Sequence, residues 1–256
     1  MLQSNIYLLY PIIIFIMMNI VFIIAQQKND NSIVDIFWGM GFIIITTNSF
    51  LWADDIDVRK GIVWLMTVIW GLRLSIYIFK RNKHKEEDIR YKTFRKSWGS
   101  RQKLGAYLQV FMLQGFFMFV ISLPLLHIMN FSMSPINLID IIGMAIWGVG
   151  FYFEAVGDYQ KNNFKSNPAN SGKVMNKGLW SITRHPNYFG EILMWWGIFI
   201  ISLSCMRWYI SIISPIVITW LLAKVSGVPM LESYYKDNSQ YQEYKKNVPA
   251  LFPKFW

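Results

Sequence analysis

The chain has 256 residues, of which 54% are hydrophobic and 17% aromatic, and its formal net charge is +10. Long apolar runs without charges indicate a polytopic α-helical membrane protein and exclude an ordinary soluble domain. The single cysteine, Cys205, excludes an internal disulfide, and three scattered histidines offer no clustered ligand set, so no metal site is predicted. The sequence contains neither a GxGxxG segment nor a Walker-type loop, which excludes Rossmann and P-loop nucleotide domains.

Seven apolar segments are each close to the length of about 20 residues that a bilayer core requires. They occupy residues 6–25, 32–51, 61–79, 106–128, 136–156, 188–204 and 209–225. The first is interpreted as a retained helix rather than a signal peptide, because residues 1–5 carry no Lys or Arg. The fold class predicted is therefore all-α: a membrane bundle of about seven transmembrane helices. We predict a single domain over residues 1–256, with a three-helix part at 1–104 and a second part at 105–256.

Lys and Arg are distributed unevenly between the predicted connections. The connections predicted on one side of the membrane hold one, ten, five and five of these residues, in chain order. The connections predicted on the other side hold only Arg59, Lys60 and Arg207. The positive-inside rule predicts an outer N-terminus and a cytosolic C-terminus, in a bacterial inner membrane or the endoplasmic reticulum. Topology and attraction to anionic lipids then explain most of the basic charge, and no nucleic-acid partner is expected.

Ionisable side chains are predicted at the cytosolic ends of several spans. They are Asp35 at the start of the second span, Arg73 in the third, Glu154 and Asp158 at the end of the fifth, and Glu191 near the start of the sixth. Because an ionisable group inside a membrane span is costly, such groups indicate a functional site. We expect a polar cavity within the bundle that opens to the cytosol.

The segment 178–197, GLWSITRHPNYFGEILMWWG, passes from a basic loop into an apolar helix. A helix that begins near Pro186 has one polar face, on which side chains recur every four residues. That face carries Asn187, Glu191 and Trp195. Arg184 and His185 precede the helix, where they can meet a phosphate or a carboxylate. The alternative interpretation is an interfacial anchor with its Arg, Tyr and Trp side chains at headgroup level.

Two further segments are rich in hydrogen-bonding groups. If the fifth helix continues to Pro168, one of its faces has alternating charge, on Glu154, Asp158, Lys161 and Lys165. This face is either a cap over a phosphate-bearing ligand or a plain solvated helix end. Near the C-terminus, four side chains can hydrogen-bond a ligand: Glu232, Tyr235, Tyr241 and Tyr244. For the tyrosines, packing at the membrane surface is the alternative.

Several stretches follow a pattern found in known membrane enzymes. In the C-terminal half they are GLWSITRHPNYFGEILMWWG, KVSGVPMLE and YQEYKKNVPALFP, and in the N-terminal half DIFWGMGF, WGLRLSIYIFKR and EEDIRY. Through them the chain resembles the steroid 5α-reductase C-terminal domain superfamily. It is most similar to the bacterial and plant branch known as a domain of unknown function, which is related to 3-oxo-5α-steroid 4-dehydrogenases. Isoprenylcysteine carboxyl methyltransferases share the RHPNY core.

The resemblance implies a seven-helix bundle that binds NADPH from the cytosol and reduces an activated C=C bond of an apolar enone, a steroid or another lipid. It implies that the part at 105–256 holds the cofactor. The cofactor positions matched by motif are Arg73, Arg81, Asp158, Lys165, Asn187, Tyr188, Glu191 and Trp195, and Glu154 stands where the reductases have Asn. Further candidate contacts with the cofactor are Arg184, His185, Glu232 and Tyr235.

The catalytic positions depart from the family pattern. Steroid reductases polarise the enone carbonyl with a Gln-Glu pair in the second helix and a Tyr in the third. Here the second helix offers Asp35, the third has Trp70 three residues before Arg73, and no Tyr can be aligned. Asp35 is therefore the candidate proton donor and Trp70 the second candidate catalytic residue, acting on a substrate that enters from the bilayer.

Two other functions stay open. The first is an S-adenosylmethionine-dependent methyltransferase acting on a lipid-borne nucleophile, for which RHPNY and a late Glu fit. Against it, Glu232 is preceded by Leu231 rather than by a second acid, and the Asn- and Lys-rich loop after the fifth span suits a larger cofactor with phosphates. The second is a non-enzymic lipid-binding or transport protein. No oligomeric state is predicted.

Overall fold

A computed structural model describes residues 6–83, 85–132, 135–206 and 208–254. Within these ranges every regular element is helical, which confirms the all-α prediction. The predictions made for residues 1–5 and for Arg207 lie outside the described residues. The chain forms two compact units, Met1–Ile136 with Cys205–Ile210 and Asn137–Ser204 with Ser211–Trp256. Each unit is described by itself, and the prediction of a single domain divided at 104/105 stays a prediction.

The first unit contains three separate long helices and one long helical stretch. They are α1 (Ile6–Lys28), α2 (Ile33–Leu51), α3 (Val58–Asn82), and then α4 (Ile89–Trp98), α5 (Gln102–Ala106), a π-helical segment (Tyr107–Met112) and α6 (Leu113–Phe131). The α2 and α3 backbones meet at two glycines, where a Cβ added to Gly71 would lie 2.7 Å from the Gly39 carbonyl oxygen. Small residues at such contacts let membrane helices approach closely.

The second unit is built on one antiparallel helix pair. Its α-helices are α7 (Leu138–Ser166), α8 (Pro186–Ser202), α9 (Ile213–Trp220), α10 (Val228–Ser233) and α11 (Ser239–Asn247), with a π-helical segment at Leu221–Val225. Helix α8 begins at Pro186 and α7 ends two residues before Pro168, so both proline-based predictions are confirmed. Short 3-10 turns at Pro168–Asn170 and Gly178–Ser181 lie in the connection between α7 and α8.

Glycines spaced seven residues apart form the contact between α7 and α8. A Cβ on Gly143 would lie 2.7 Å from the carbonyl oxygen of Gly197, and a Cβ on Gly150 would lie 2.6 Å from that of Gly190. Gly157 continues the series, since its Cβ would meet the Pro186 ring at 3.1 Å. The two backbones are therefore in close contact along most of their length, and this contact fixes which turn of α7 faces the start of α8.

Six helical segments in the described residues are long and apolar enough to cross a membrane, so the chain is a multi-pass integral membrane protein. They are Leu8–Lys28, Ile33–Leu51, Val58–Asn82, Ile89–Phe131, Leu138–Ser166 and Trp208–Ser233. The predicted sixth span, 188–204, corresponds to α8, which has 17 residues and is not among the six. The predicted orientation stays a prediction. Between the predicted third and fourth spans, at 61–79 and 106–128, the sequence predicts only a connection. Helices α4 and α5 occupy much of that connection.

Candidate functional site

The loop that enters α8 is held by the Arg184 side chain, which is buried. Its Nε and Nη2 donate to Glu232 Oε1 over 2.9 and 2.7 Å. Its Nη1 donates to the carbonyl oxygen of Lys245 over 3.0 Å and to that of Val248. Four of the five N–H donors of a guanidinium are thus engaged within the protein. Arg184 therefore joins α10 to the end of α11 and the residue after it. The predicted contact of Arg184 with a cofactor stays a prediction.

The C-terminal residues 248–254, which we call the C-terminal strap, pair with the same loop. The Arg184 amide donates to the Pro249 carbonyl oxygen and the Lys254 amide to that of Ile182, both over 2.9 Å. The Thr183 hydroxyl lies 3.0 Å from the Ala250 carbonyl oxygen and is likewise bonded to the strap's next residue. Sequence reasoning did not find this pairing, because it joins residues more than 60 positions apart.

His185 lies directly before α8 and is almost fully buried. Its Nε2 is 3.3 Å from Glu232 Oε1, and its ring stacks on Tyr188 with the ring centroids 5.3 Å apart. Burial lowers the pKa of His185 below its ordinary value of 6.5, and Glu232 opposes this shift, whereas the nearby Lys161 adds to it. A second oxygen of Glu232 accepts the Lys245 ammonium at 2.7 Å. One carboxylate thus organises Arg184, His185 and Lys245.

Two buried carboxylates of α7 face the first turns of α8. Glu154 and Asp158 are only 3% and 4% exposed and lie one helical turn apart. A Cβ added to Gly190 would meet the Glu154 amide nitrogen at 2.6 Å, which places Glu154 beside the turn that carries Glu191. One turn further along α7, Gly157 lies beside Pro186. A Cβ added to Gly157 would lie 3.5 Å from the Asn187 amide nitrogen. The structure therefore brings these predicted acids to the level of the polar start of α8.

The remaining predicted residues of the second unit lie around this helix pair. The Lys161 ammonium is 4.5 Å from the centroid of the Trp180 ring, and that indole N–H donates to the Gly157 carbonyl oxygen over 3.0 Å. Lys165, one turn beyond Lys161, is exposed at the end of α7. Trp195 is fully buried, and Tyr235 stacks on Tyr241 with the ring centroids 4.7 Å apart. Lysines and carboxylates thus occupy neighbouring turns of α7.

In the first unit, Asp35 belongs to a hydrogen-bonded cluster with two residues of α4. One Asp35 oxygen accepts a hydrogen bond from Arg90 Nη2 over 2.7 Å, and the other accepts one from the Tyr91 hydroxyl over 2.5 Å. Gln114 of α6 donates to the Tyr91 oxygen over 3.3 Å. Tyr91 is buried, and Arg90 also pairs with Asp88, the residue that caps α4.

Sequence reasoning missed Arg90 and Tyr91 as partners of Asp35. The only signal was the stretch EEDIRY, which contributed to the resemblance without an assigned role. Both oxygens of Asp35 accept hydrogen bonds here, and the single hydroxyl proton of Tyr91 is directed at one of them. The role of Asp35 as proton donor stays a prediction.

The other predicted residues of the first unit lie on α3. Trp70 is buried and packs edge-to-face on Phe42, with the ring centroids 5.5 Å apart. The guanidinium groups of Arg73 and Arg81 lie 5.6 and 5.9 Å from the centroid of the Tyr77 ring, one turn away on either side. The proposed roles of these residues stay predictions. Among the described residues, no group of three or more His, Cys, Asp or Glu side chains is arranged to hold a metal ion.

The model of the family described as "Protein of unknown function (DUF1295)" matches residues 21–248. The chain belongs to this family. This membership confirms the predicted branch of the superfamily. Because the function of the family is unknown, the activity has to be argued from the residues and from more distant relatives.

Three curated relatives of this DUF1295 chain match over short segments. A probable O-methyltransferase of Ustilaginoidea virens is 46% identical over 46 residues, which cover 18% of this chain and 16% of the relative. A Delta(14)-sterol reductase of Gibberella zeae is 28% identical over 78 residues, which cover 25% of this chain and 16% of the relative. A Delta(14)-sterol reductase of Gallus gallus is 37% identical over 59 residues, which cover 18% of this chain and 9% of the relative. The chain thus spans less than a fifth of the length of these relatives. No solved structure matches it.

Proposed function

We propose that this protein is a membrane-embedded, NADPH-dependent reductase of an activated C=C bond in an apolar enone, a steroid-like molecule or another lipid. The observation that carries the proposal is the similarity to two Delta(14)-sterol reductases from distant organisms. The matched segments are short, so the similarity supports a reaction class and leaves the substrate to experiment.

The residues around the start of α8 fit a dinucleotide. Buried carboxylates such as Glu154 and Asp158 suit ribose hydroxyls, which donate hydrogen bonds to them. Lys161 and Lys165 suit phosphates, and the N-terminal turn of α8 adds the positive end of a helix dipole. The carboxamide of Asn187 matches the amide chemistry of nicotinamide. When bound, NADPH would supply the hydride that the reaction needs.

The chain itself would supply orientation and a hydrogen-bond donor. We assign polarisation of the enone carbonyl to Tyr91, whose hydroxyl would turn from Asp35 to the carbonyl oxygen when the substrate binds. Asp35, held by Arg90, orients the phenol in the free protein. A hydride added at the β-carbon would leave an enolate, and a donor aimed at the enolate oxygen stabilises its negative charge. A proton taken up from water at the α-carbon would complete the reduction. The proposal includes a cytosol-facing active site, an outer N-terminus and a substrate that arrives through the bilayer.

A second candidate function is methyl transfer from S-adenosylmethionine to a lipid-borne nucleophile. The match to a probable O-methyltransferase favours it, at 46% identity over 46 residues. The cluster of Arg184, His185 and Glu232 is compatible with it, since charged groups at the start of α8 also suit a charged amino-acid group. A protein that binds neither cofactor would be the non-enzymic alternative.

A thermal-shift titration of the detergent-purified protein with NADPH, NADH and S-adenosylmethionine tests the proposal. A ligand that binds only the folded state stabilises it by about 2.7 kcal/mol at a hundredfold excess over its Kd. We expect NADPH to raise the apparent Tm. This thermal shift should be smaller in Asp158→Asn but unchanged in Lys236→Gln, which alters an exposed residue elsewhere in the second unit. Stabilisation by S-adenosylmethionine alone would support the second candidate, and no shift with any of the three would contradict both.

A further inference from the structure

The helical stretch Ile89–Phe131 is too long to lie wholly within a bilayer. Its 43 residues would extend about 65 Å if straight, roughly twice the hydrocarbon thickness of about 30 Å. All of its Lys, Arg, Asp and Glu residues lie at or before Lys103, and the rest of the stretch is free of them. The apolar part therefore suits the hydrocarbon, and α4 with the following turn suits the headgroup region.

Residues 80–103, which we call the basic segment, have a large surplus of positive charge. They contain ten Lys or Arg residues and three acids. Each acid is already paired within the segment: Glu86 with Lys92, Glu87 with Arg95 and Asp88 with Arg90. The internal pairs thus leave seven cations in surplus. Six of these are exposed: Lys80, Lys83, Lys85, Lys96, Arg101 and Lys103.

Apolar side chains stand beside these cations. Ile89, Phe94 and Leu104 are all exposed, at 53%, 37% and 56%. Trp98 packs beside Phe94, with its ring against Gly105 and its indole N–H 3.3 Å from the Gln109 side-chain oxygen. Basic residues next to exposed aliphatic and aromatic groups are the composition of a helix that rests at a membrane interface.

A shallow cavity of about 530 Å³ opens on the same segment. It is lined by Asn29, Glu86, Glu87, Lys92, Arg95 and Lys96. Its three cations share one face of α4, and its two acids are the ones held by Lys92 and Arg95. Lys96 therefore contributes charge to this cavity beyond that needed by the acids.

We propose that the basic segment is a docking surface for anionic phospholipids, whose headgroup phosphates contact the surplus cations. Charge complementarity selects an anion, and the adjoining apolar side chains select one that carries acyl chains rather than a soluble phosphate. The direct continuity of the segment with an apolar spanning helix places it where such lipids are found. This role is independent of the reaction proposed above.

Binding of short-chain phosphatidylglycerol and phosphatidylcholine to the detergent-purified full chain tests this role. The test variant combines Lys96→Gln, Arg101→Gln and Lys103→Gln, and the control combines Lys173→Gln, Lys177→Gln and Lys236→Gln, which remove the same charge from exposed sites of the second unit. We expect wild type and control to prefer phosphatidylglycerol, and the test variant to lose about fivefold in affinity per neutralised residue. Equal losses in both triple variants would overturn the proposal.

Two further measurements keep the outcome unambiguous. The combination of Lys96→Arg with Lys103→Arg keeps the charge and should bind phosphatidylglycerol as wild type does, so that a fold defect in the neutral variant is recognised. Inorganic phosphate and glycerol phosphate should not compete at the concentrations at which the lipid binds. If they bind as tightly as phosphatidylglycerol, the surface is a site for soluble phosphate, and the lipid assignment is wrong.

Discussion

The Asp35 cluster carries the sharpest prediction for a single residue. If Tyr91 donates to the substrate carbonyl, Tyr91→Phe removes only the hydroxyl and should lower kcat by about 10²–10⁴-fold. The Kd for NADPH should be unchanged, because the predicted cofactor contacts lie on other residues. The measurement is NADPH oxidation with a steroid enone as the probe substrate, together with direct cofactor titration.

Asp35→Asn is the companion variant that separates the two candidate donors. It keeps an oxygen that accepts the Tyr91 hydrogen bond but removes the charge that pairs with Arg90. If Asp35 itself were the acid, Asp35→Asn would abolish turnover while Tyr91→Phe left it nearly intact. Gln114→Leu, which removes the other Tyr91 partner, is the control and should have a smaller effect than Tyr91→Phe.

The buried imidazole of His185 should make the stability of the protein depend on pH. Burial lowers the pKa of this imidazole below 6.5, with Lys161 and Arg184 adding to the shift and Glu232 opposing it. The unfolded chain therefore binds the proton at a higher pH than the folded chain does, and stability should fall as the pH decreases below 6.5. In His185→Gln that slope should be shallower when apparent Tm is measured against pH. An unchanged slope would assign the acid sensitivity to other groups.

At the scale of elements, the glycine contact between α7 and α8 predicts a matched pair of variants. Gly150→Ala puts a methyl group 2.6 Å from the Gly190 carbonyl oxygen and should destabilise the second unit by about 1–3 kcal/mol. Gly148→Ala, two residues away on the same helix, meets nothing within 4 Å and should be neutral or slightly stabilising. Apparent Tm in detergent compares the two. Equal losses in the two variants would contradict the assignment of the Gly150 effect to this close contact, since Ala favours the helix at both positions.

The helix boundaries show which sequence signals were sufficient. Pro186 and Pro168 fixed the start of α8 and the end of α7, because proline acts locally through its own ring and missing N–H. The third span, predicted at 61–79, is the longer α3, Val58–Asn82, because Asp57 caps its start and basic residues extend its end. Hydropathy does not register such polar turns. Helix α4 was missed for the same reason, since it is rich in basic residues, two of which pair with acids that directly precede the helix.

The candidate site required information that local patterns do not hold. Asp35 and Tyr91 are 56 positions apart, and Arg184 and Glu232 are 48 apart, so their pairing depends on the packed structure. The sequence indicated that each acid needed a partner but did not specify which one. The seven-residue glycine spacing in α7 was readable in the sequence and would have predicted the tight contact with α8.

For the whole molecule, the C-terminal strap bears on the number of membrane crossings. Its hydrogen bonds to residues 182–184 require that the chain before α8 and the chain after α11 lie on one side of the membrane. An even number of crossings must then separate them, which α8 and the segment Trp208–Ser233 supply together. We therefore expect α8 to enter the membrane despite its 17 residues, giving seven crossings and termini on opposite sides.

Cysteine labelling in sealed vesicles measures this topology. In a Cys205→Ser background, Lys177→Cys and Asn247→Cys are both exposed positions and should react with an impermeant maleimide from the same side. Trp52→Cys, exposed between α2 and α3, should react from the other side, as the distribution of Lys and Arg requires. If Asn247→Cys reacts from the side opposite to Lys177→Cys, α8 does not cross. The six apolar segments alone would then set the topology, with both termini on one side.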